Sequence, residues 1–241
     1  MINIPLRFSR FYPSVYEAEK TEFIKRNCRQ GSSAIDIGAH IGIFTFFLAK
    51  QVGKEGKVYS FEPTPFTFKV LQKTIQFNHL ENIVDVRQQA VSNTDDDVIF
   101  YVYQDSGISN ANSILTPNST NRVTIPVKVS AVHLDGLLND LNQKDLSFIK
   151  IDAEGAELDI LKGGKKIIGK YKPYISLEVH PQSFEDPFQT QKEIFRLVRS
   201  LGYTIFRDNT NINEDEFCNI SDCFEVFLIP SQDSQADHSA G

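Results

Sequence analysis

Ser33–Gly42, SAIDIGAHIG, restricts the fold of this chain more than any other stretch. Ala34, Ile35 and Ile37 are the small and β-branched residues of a strand covered on both faces. Asp36 interrupts that run, and a buried carboxylate needs hydrogen-bond partners. Gly38 and Gly42 bracket a tight turn, and Ile43–Ala49 continue as an apolar helix whose first N–H groups can face a ligand. Strand, glycine turn, helix and lone acid describe the crevice of an open α/β sheet. Lys57–Glu62, KVYSFE, reads as a second strand ending in an acid. Alone, Glu62 is an ordinary exposed strand-end carboxylate. At this spacing from the first turn, it is placed to accept hydrogen bonds from both hydroxyls of a ribose. The turn is not G-x-G-x-x-G, so it suits a nucleoside with an amino-acid tail rather than a diphosphate.

The rest of the chain alternates strands and helices. Tyr16–Asn27 is expected to be a helix over one end of the crevice, and Pro65–Asn78 a second, with apolar residues at near-helical spacing. Val84–Ser92 is expected as strand three. Val98–Tyr103 and Val123–Val129 are β-rich and flank a long polar loop, which is either a substrate-facing insertion or a surface loop. Val132–Leu141 reads as a short helix, Ser147–Ile151 as strand four and Glu154–Ile168 as its helix. Tyr174–Val179 is strand five and Phe188–Leu201 a helix. Tyr203–Arg207 and Phe224–Ile229 close the sheet, the last one antiparallel. Residues 1–31 are expected to be an arm and helix, 32–230 one domain with a β-rich insertion at 93–130, and 231–241 a disordered tail.

The motifs DIGAHIG, FEP, AVS, IKIDAEGAE, LKGG and LEVH resemble the FkbM family of S-adenosylmethionine-dependent methyltransferases. The resemblance covers roughly Tyr16–His180, and IKIDAEGAE is its most specific part. It implies a Rossmann-like class I methyltransferase sheet, mostly parallel with a C-terminal antiparallel strand, and helices on both faces. It also implies O-methylation of a sugar, glycan or polyketide-like alcohol. The cofactor set is then Asp36 at the amino-acid end, the turn Gly38, Ala39, His40 and Gly42, Glu62 on the ribose, and Gln89 and Ala90 near the adenine edge. The family more often carries Asn where this chain has His40.

The remaining chemistry is expected at strand ends. Asp152 and Glu154 follow strand four; Glu178 and His180 end strand five. Methyl transfer to oxygen is mainly positioning, plus a base for the hydroxyl proton. His180 is the first choice of base because imidazole titrates near neutrality; by itself it is a turn residue before Pro181. Asp152 is second choice, or orients the histidine. Asp152, Glu178 and His180 also permit a divalent metal variant, Mg²⁺ or Mn²⁺, which is not favoured. Glu157 and Asp159 read as first-turn helix acids and no more.

Composition excludes other classes. A chain of 241 residues suits one α/β domain, and a formal charge of −6 argues against a general nucleic-acid binder. The lysines from Lys162 to Lys172 read as a solvated helix face. Three cysteines give no disulfide framework, and Cys218 and Cys223 lack a second ligand pair for zinc. No run reaches the ~20 apolar residues of a membrane span, and Met1–Phe11 lacks a signal-peptide core, so a cytoplasmic protein is expected. A nicotinamide oxidoreductase shares the strand-end acid but needs the missing glycine fingerprint. A binding domain without turnover is the other alternative. An Asn/Asp-Pro-Pro-aromatic clamp for a base amino group is absent after strand four, where IDAEG stands.

Overall fold

The computed structural model describes residues 17–103, 124–141 and 145–231. The expected arm, the 106–121 loop and the tail lie outside the described residues. The chain forms α1 (Ala18–Asn27), β1 (Ser33–Ile37), α2 (Ile43–Val52), β2 (Lys57–Phe61), α3 (Pro65–Phe77) and β3 (Val84–Arg87). β4 (Ala90–Ser92), β5 (Asp97–Tyr103) and β6 (Thr124–His133) interrupt the alternation. It resumes with β7 (Leu146–Ile151), α4 (Glu157–Gly163), α5 (Lys165–Tyr171), β8 (Tyr174–Val179) and α6 (Pro187–Ser200). β9 (Tyr203–Arg207), β10 (Thr210–Asn211), α7 (Glu214–Cys218) and β11 (Phe224–Pro230) follow.

Among the described residues, eight strands make one sheet in the order β10-β9-β11-β8-β7-β1-β2-β3. β3, β2, β1, β7 and β8 are parallel, while β11 lies antiparallel between β8 and β9. Strand order reverses between β1 and β7, and such a switch point opens a crevice at the strands' carboxyl ends. The two-residue period of the strands divides the core. Ile35, Ile37, Ile149 and Ile151 pack with residues of α4, α5 and α6. Ala34, Val58 and Phe148 pack on the other face with residues of α1, α2 and α3. Asp36 and Lys150 share that second face by parity, which places two charges inside it.

Three expected elements are divided or shortened. Val84–Ser92 is two strands: β3 pairs with β2, whereas β4 pairs with β6 in a separate three-stranded sheet. The chain must turn at Gln88 and Gln89 to change partners. Val132–Leu141 contains only a 3-10 turn at Leu134–Leu138, because β6 runs to His133 and Gly136 disfavours a longer helix. Glu154–Ile168 starts as a helix only at Glu157 and breaks at Gly164, whose φ of −113° leaves the helical region. The connection before β11 holds the short α7, with Asn213 and Glu216 forming a capping box.

Candidate active site

The cavity at the carboxyl ends of β1, β2, β7 and β8 is walled by the turn after β1. Gly38 there has a φ of +74°, and a Cβ on it would stand 1.8 Å from the Asp152 carbonyl oxygen. Only a glycine lets the β1 and β7 tips come this close. His40 also occupies the left-handed region, at φ 51°, where Asn, Asp and His are the non-glycine residues most often found. Burial, aided by Lys150, lowers its imidazole pKa to about 4, so the ring is neutral. Gly42 has another task. Its φ is +93°, and a Cβ would reach Leu71 on α3 at 2.7 Å, so it closes the α2–α3 packing rather than the cavity wall.

Glu62 faces the cavity while its two oxygens are fixed from behind. The His40 N–H donates to Oε2 at 3.0 Å and the Thr64 N–H to Oε1 at 2.8 Å. Burial pushes this carboxyl up to about 7, against those backbone donors. Ala39, Gln89 and Ala90 line the same cavity, beside Phe61, Pro63 and Val91.

Asp36 lies elsewhere. It is fully buried beneath the turn, accepts the Thr45 hydroxyl at 2.6 Å and sits 3.5 Å from Lys150 Nζ. It does not line the cavity. Lys150, which the sequence reading passed over, joins Asp36 to Asp152 at 3.3 Å and donates to the Gly38 carbonyl at 3.2 Å. Burial opposes its charge, but Asp152 and Asp36 outweigh that and hold its pKa above the ordinary lysine value. A charged residue inside the apolar strand SFIKI was the signal, the same one that marked Asp36.

Asp152, Glu154 and Glu178 line the cavity's other end, with Glu17 at its rim. His180 stands behind them and does not line it. Its Nδ1 is 2.9 Å from Glu157 Oε1, and Glu157 is fully buried, so this glutamate is more than a helix-dipole acid. Burial works against an imidazolium, but Cys223, Glu157 and Glu154 raise the His180 pKa to about 12. At neutral pH the ring is therefore charged and has no free lone pair with which to act as base. Burial opposes ionisation of Asp152 too, yet Lys150, Lys20 and His180 hold its carboxyl below the usual range. Glu154 is pushed up to about 7, chiefly by burial.

Lys20 closes this end from α1. Its ammonium is 3.0 Å from Glu178 Oε2 and 3.4 Å from Glu225 Oε1, contacts Glu17, and lies over the Phe44 ring. Cys28 is a buried core residue, His79 is exposed, and His133 pairs with Asp95 away from the cavity. The expected lysine patch is exposed.

Residues 36–205 match the family described as Methyltransferase FkbM domain. The chain belongs to this family. Methyltransferase 1 of Beauveria bassiana (strain ARSEF 2860) is 24% identical over 148 residues, 55% of this chain and 58% of that protein. The chain thus spans little more than half of that relative. Methyltransferase sdnD of Sordaria araneosa is 22% identical over 214 residues, covering 78% of this chain and 79% of the relative. A candidate rRNA-methylase from Clostridium thermocellum shares the fold, with a TM-score of 0.55 and 10% identity over 88% of this chain and 93% of that one.

This FkbM-family protein is a methyltransferase with S-adenosylmethionine as its cofactor, which sets the nicotinamide alternative aside. The residues present fit that group: a cavity at the switch point lined by Gly38, Ala39, Phe61, Pro63 and Val91, and a carboxylate facing it that two backbone N–H groups fix. Among the described residues, no helix is long and apolar enough to cross a membrane.

Proposed function

We propose that the chain methylates a hydroxyl of a small acceptor, such as a sugar, glycan or polyketide-like alcohol. Bound S-adenosylmethionine supplies a methyl group on a positively charged sulfonium. Three carboxylates, Asp152, Glu154 and Glu178, in the one cavity that the Gly38 turn and Glu62 also line are the observation that supports this reading. Glu62 holds the ribose, the Gly38–His40 turn receives the amino-acid tail, and Gln89 and Ala90 border the adenine. Asp152 binds the acceptor hydroxyl, and Glu154, whose carboxyl burial pushes up to about 7, accepts its proton as the new bond forms. His180 keeps these acids in place and does not itself touch the acceptor. That revises the expected base.

The test is methyl transfer from labelled S-adenosylmethionine to a panel of sugars, polyketide-like alcohols, amines and a structured RNA, with products read by mass spectrometry. A methylated hydroxyl on a small acceptor is expected, with turnover lost in Asp152→Asn and S-adenosylhomocysteine binding kept. Labelling of the RNA alone, or of amines alone, would overturn the reading.

A further inference from the structure

We propose that His180 Nε2, Asp152 Oδ1 and Glu154 Oε2 bind one divalent metal ion at the acceptor end of the cavity. The inference rests on the acceptor site assigned above and adds a ligand to it. Three features of the cluster carry it.

The first is the histidine. Its Nδ1 is engaged by Glu157 Oε1 at 2.9 Å, and the same oxygen accepts the Gly155 N–H at 2.9 Å. A carboxylate on one ring nitrogen fixes the tautomer and turns the other nitrogen toward an ion, as metal-bound histidines require. The ring is buried, with 3% of its surface exposed.

The second is the spacing on the Nε2 side. Glu154 Oε2, Asp152 Oδ1 and Glu178 Oε1 stand 3.7, 3.9 and 4.0 Å away. A charge-assisted N–H···O bond closes to about 2.7–2.9 Å. Among the described residues none of these carboxylates does so. Ligand atoms that share an ion at about 2.0–2.2 Å stand roughly 3–4 Å apart. The spacing between Nε2 and the two cavity-lining acids has that size, while Cys223 hydrogen-bonds the ring beside Glu178.

The third is the orientation of the acids. Lys150 holds Asp152 Oδ2 at 3.3 Å, and Lys20 holds Glu178 Oε2 at 3.0 Å. Each lysine binds the far oxygen and leaves the near one toward Nε2. Glu178 Oε1 receives the Cys223 thiol at 3.2 Å and closes the cluster on that side. Asp152 and Glu154 line the cavity, so an ion between them and His180 keeps an open position toward the acceptor. One imidazole and two carboxylates suit Mn²⁺ or Zn²⁺. The ion takes the place of a proton on Nε2, which is released on binding. The acceptor hydroxyl then meets Asp152 and Glu154 through the ion, which lowers its pKa so that its proton leaves more readily to Glu154.

The experiment is Mn²⁺ titration of the chelator-stripped full chain, read from the loss of the free-ion electron paramagnetic resonance signal. S-adenosylhomocysteine binding is measured on the same samples as a check of the fold. One Mn²⁺ per chain is expected, weakened at least about tenfold in Glu154→Gln and in the outer-shell variant Glu157→Gln, and unchanged in Cys223→Ser. No Mn²⁺ binding by a chain that binds S-adenosylhomocysteine overturns the site. So does loss of the ion in Cys223→Ser with retention in Glu154→Gln, which moves it to Glu178, His180 and Cys223. Small-acceptor methylation at full rate in excess chelator overturns the metal and leaves the proposed reaction standing. RNA-only methylation with stoichiometric Mn²⁺ bound overturns the acceptor class and leaves the ion site standing.

Discussion

Lys150 bears on both stability and chemistry, because one ammonium holds a fully buried Asp36 and an active-site Asp152. Replacing it by Met leaves both carboxylates without that partner, and breaking a buried pair costs about 3–5 kcal/mol. Urea unfolding of Lys150→Met should show a loss of that order, part of which Asp36→Asn in the same chain restores. A loss below about 1 kcal/mol would mean the pair contributes little. Glu62 acts on the ligand instead. Removing a charged hydrogen-bond acceptor costs about 1.5–3 kcal/mol, so Glu62→Ala should weaken S-adenosylhomocysteine about 10- to 100-fold by calorimetry while the fold survives. Unchanged affinity would take Glu62 off the ribose. At this scale the sequence showed which residues were out of place but not what they touched. Asp36 stood out as a charge in a strand and was assigned to ligand, yet its partner is the equally misplaced Lys150. Glu157 looked like an ordinary helix acid because its contact with His180 spans 23 positions.

The Gly38 turn joins two elements, so a single methyl group there should be felt in both. In Gly38→Ala, the new Cβ meets the Asp152 carbonyl and the left-handed φ is strained, which costs more than about 1 kcal/mol. We expect a lowered urea midpoint together with loss of S-adenosylhomocysteine binding. Ala at wild-type affinity would show that the β1 and β7 tips can separate without consequence. Strands β1, β2, β7, β8 and β11 were legible because apolar runs and turns recur at regular spacing, and the sheet they form followed from the family resemblance rather than from that spacing. The division between β3 and β4 was not. It depends on β4 pairing with β6, about 40 residues away, and local periodicity carries no trace of a partner that distant. The break between α4 and α5 at Gly164 was in plain view as two adjacent glycines, but hydrophobic spacing ran through it.

For the whole molecule, the buried acids set a pH dependence that the cofactor should reverse. Burial pushes the carboxyls of Glu62 and Glu225 up to about 7. A group whose folded pKa is raised contributes stability that is full below its unfolded value and lost as pH rises through the folded one. The ligand-free protein should therefore lose stability between about pH 5 and 8. Asp152, held low by Lys150, Lys20 and His180 against burial, acts in the other sense and gives up its contribution only in acid. Ribose hydroxyls donate to the ionised form of Glu62, so ligand binding strengthens over the window in which the free protein weakens. At 100 times its dissociation constant a ligand adds about 2.7 kcal/mol, or roughly 5–11 °C in a chain of this size. Thermal unfolding with S-adenosylhomocysteine at one fixed concentration should show a gain of that size at pH 8 and a smaller one at pH 6. In Glu62→Gln the gain should be smaller and flat with pH. A gain in the wild type that does not change between the two pH values would separate Glu62 from the cofactor.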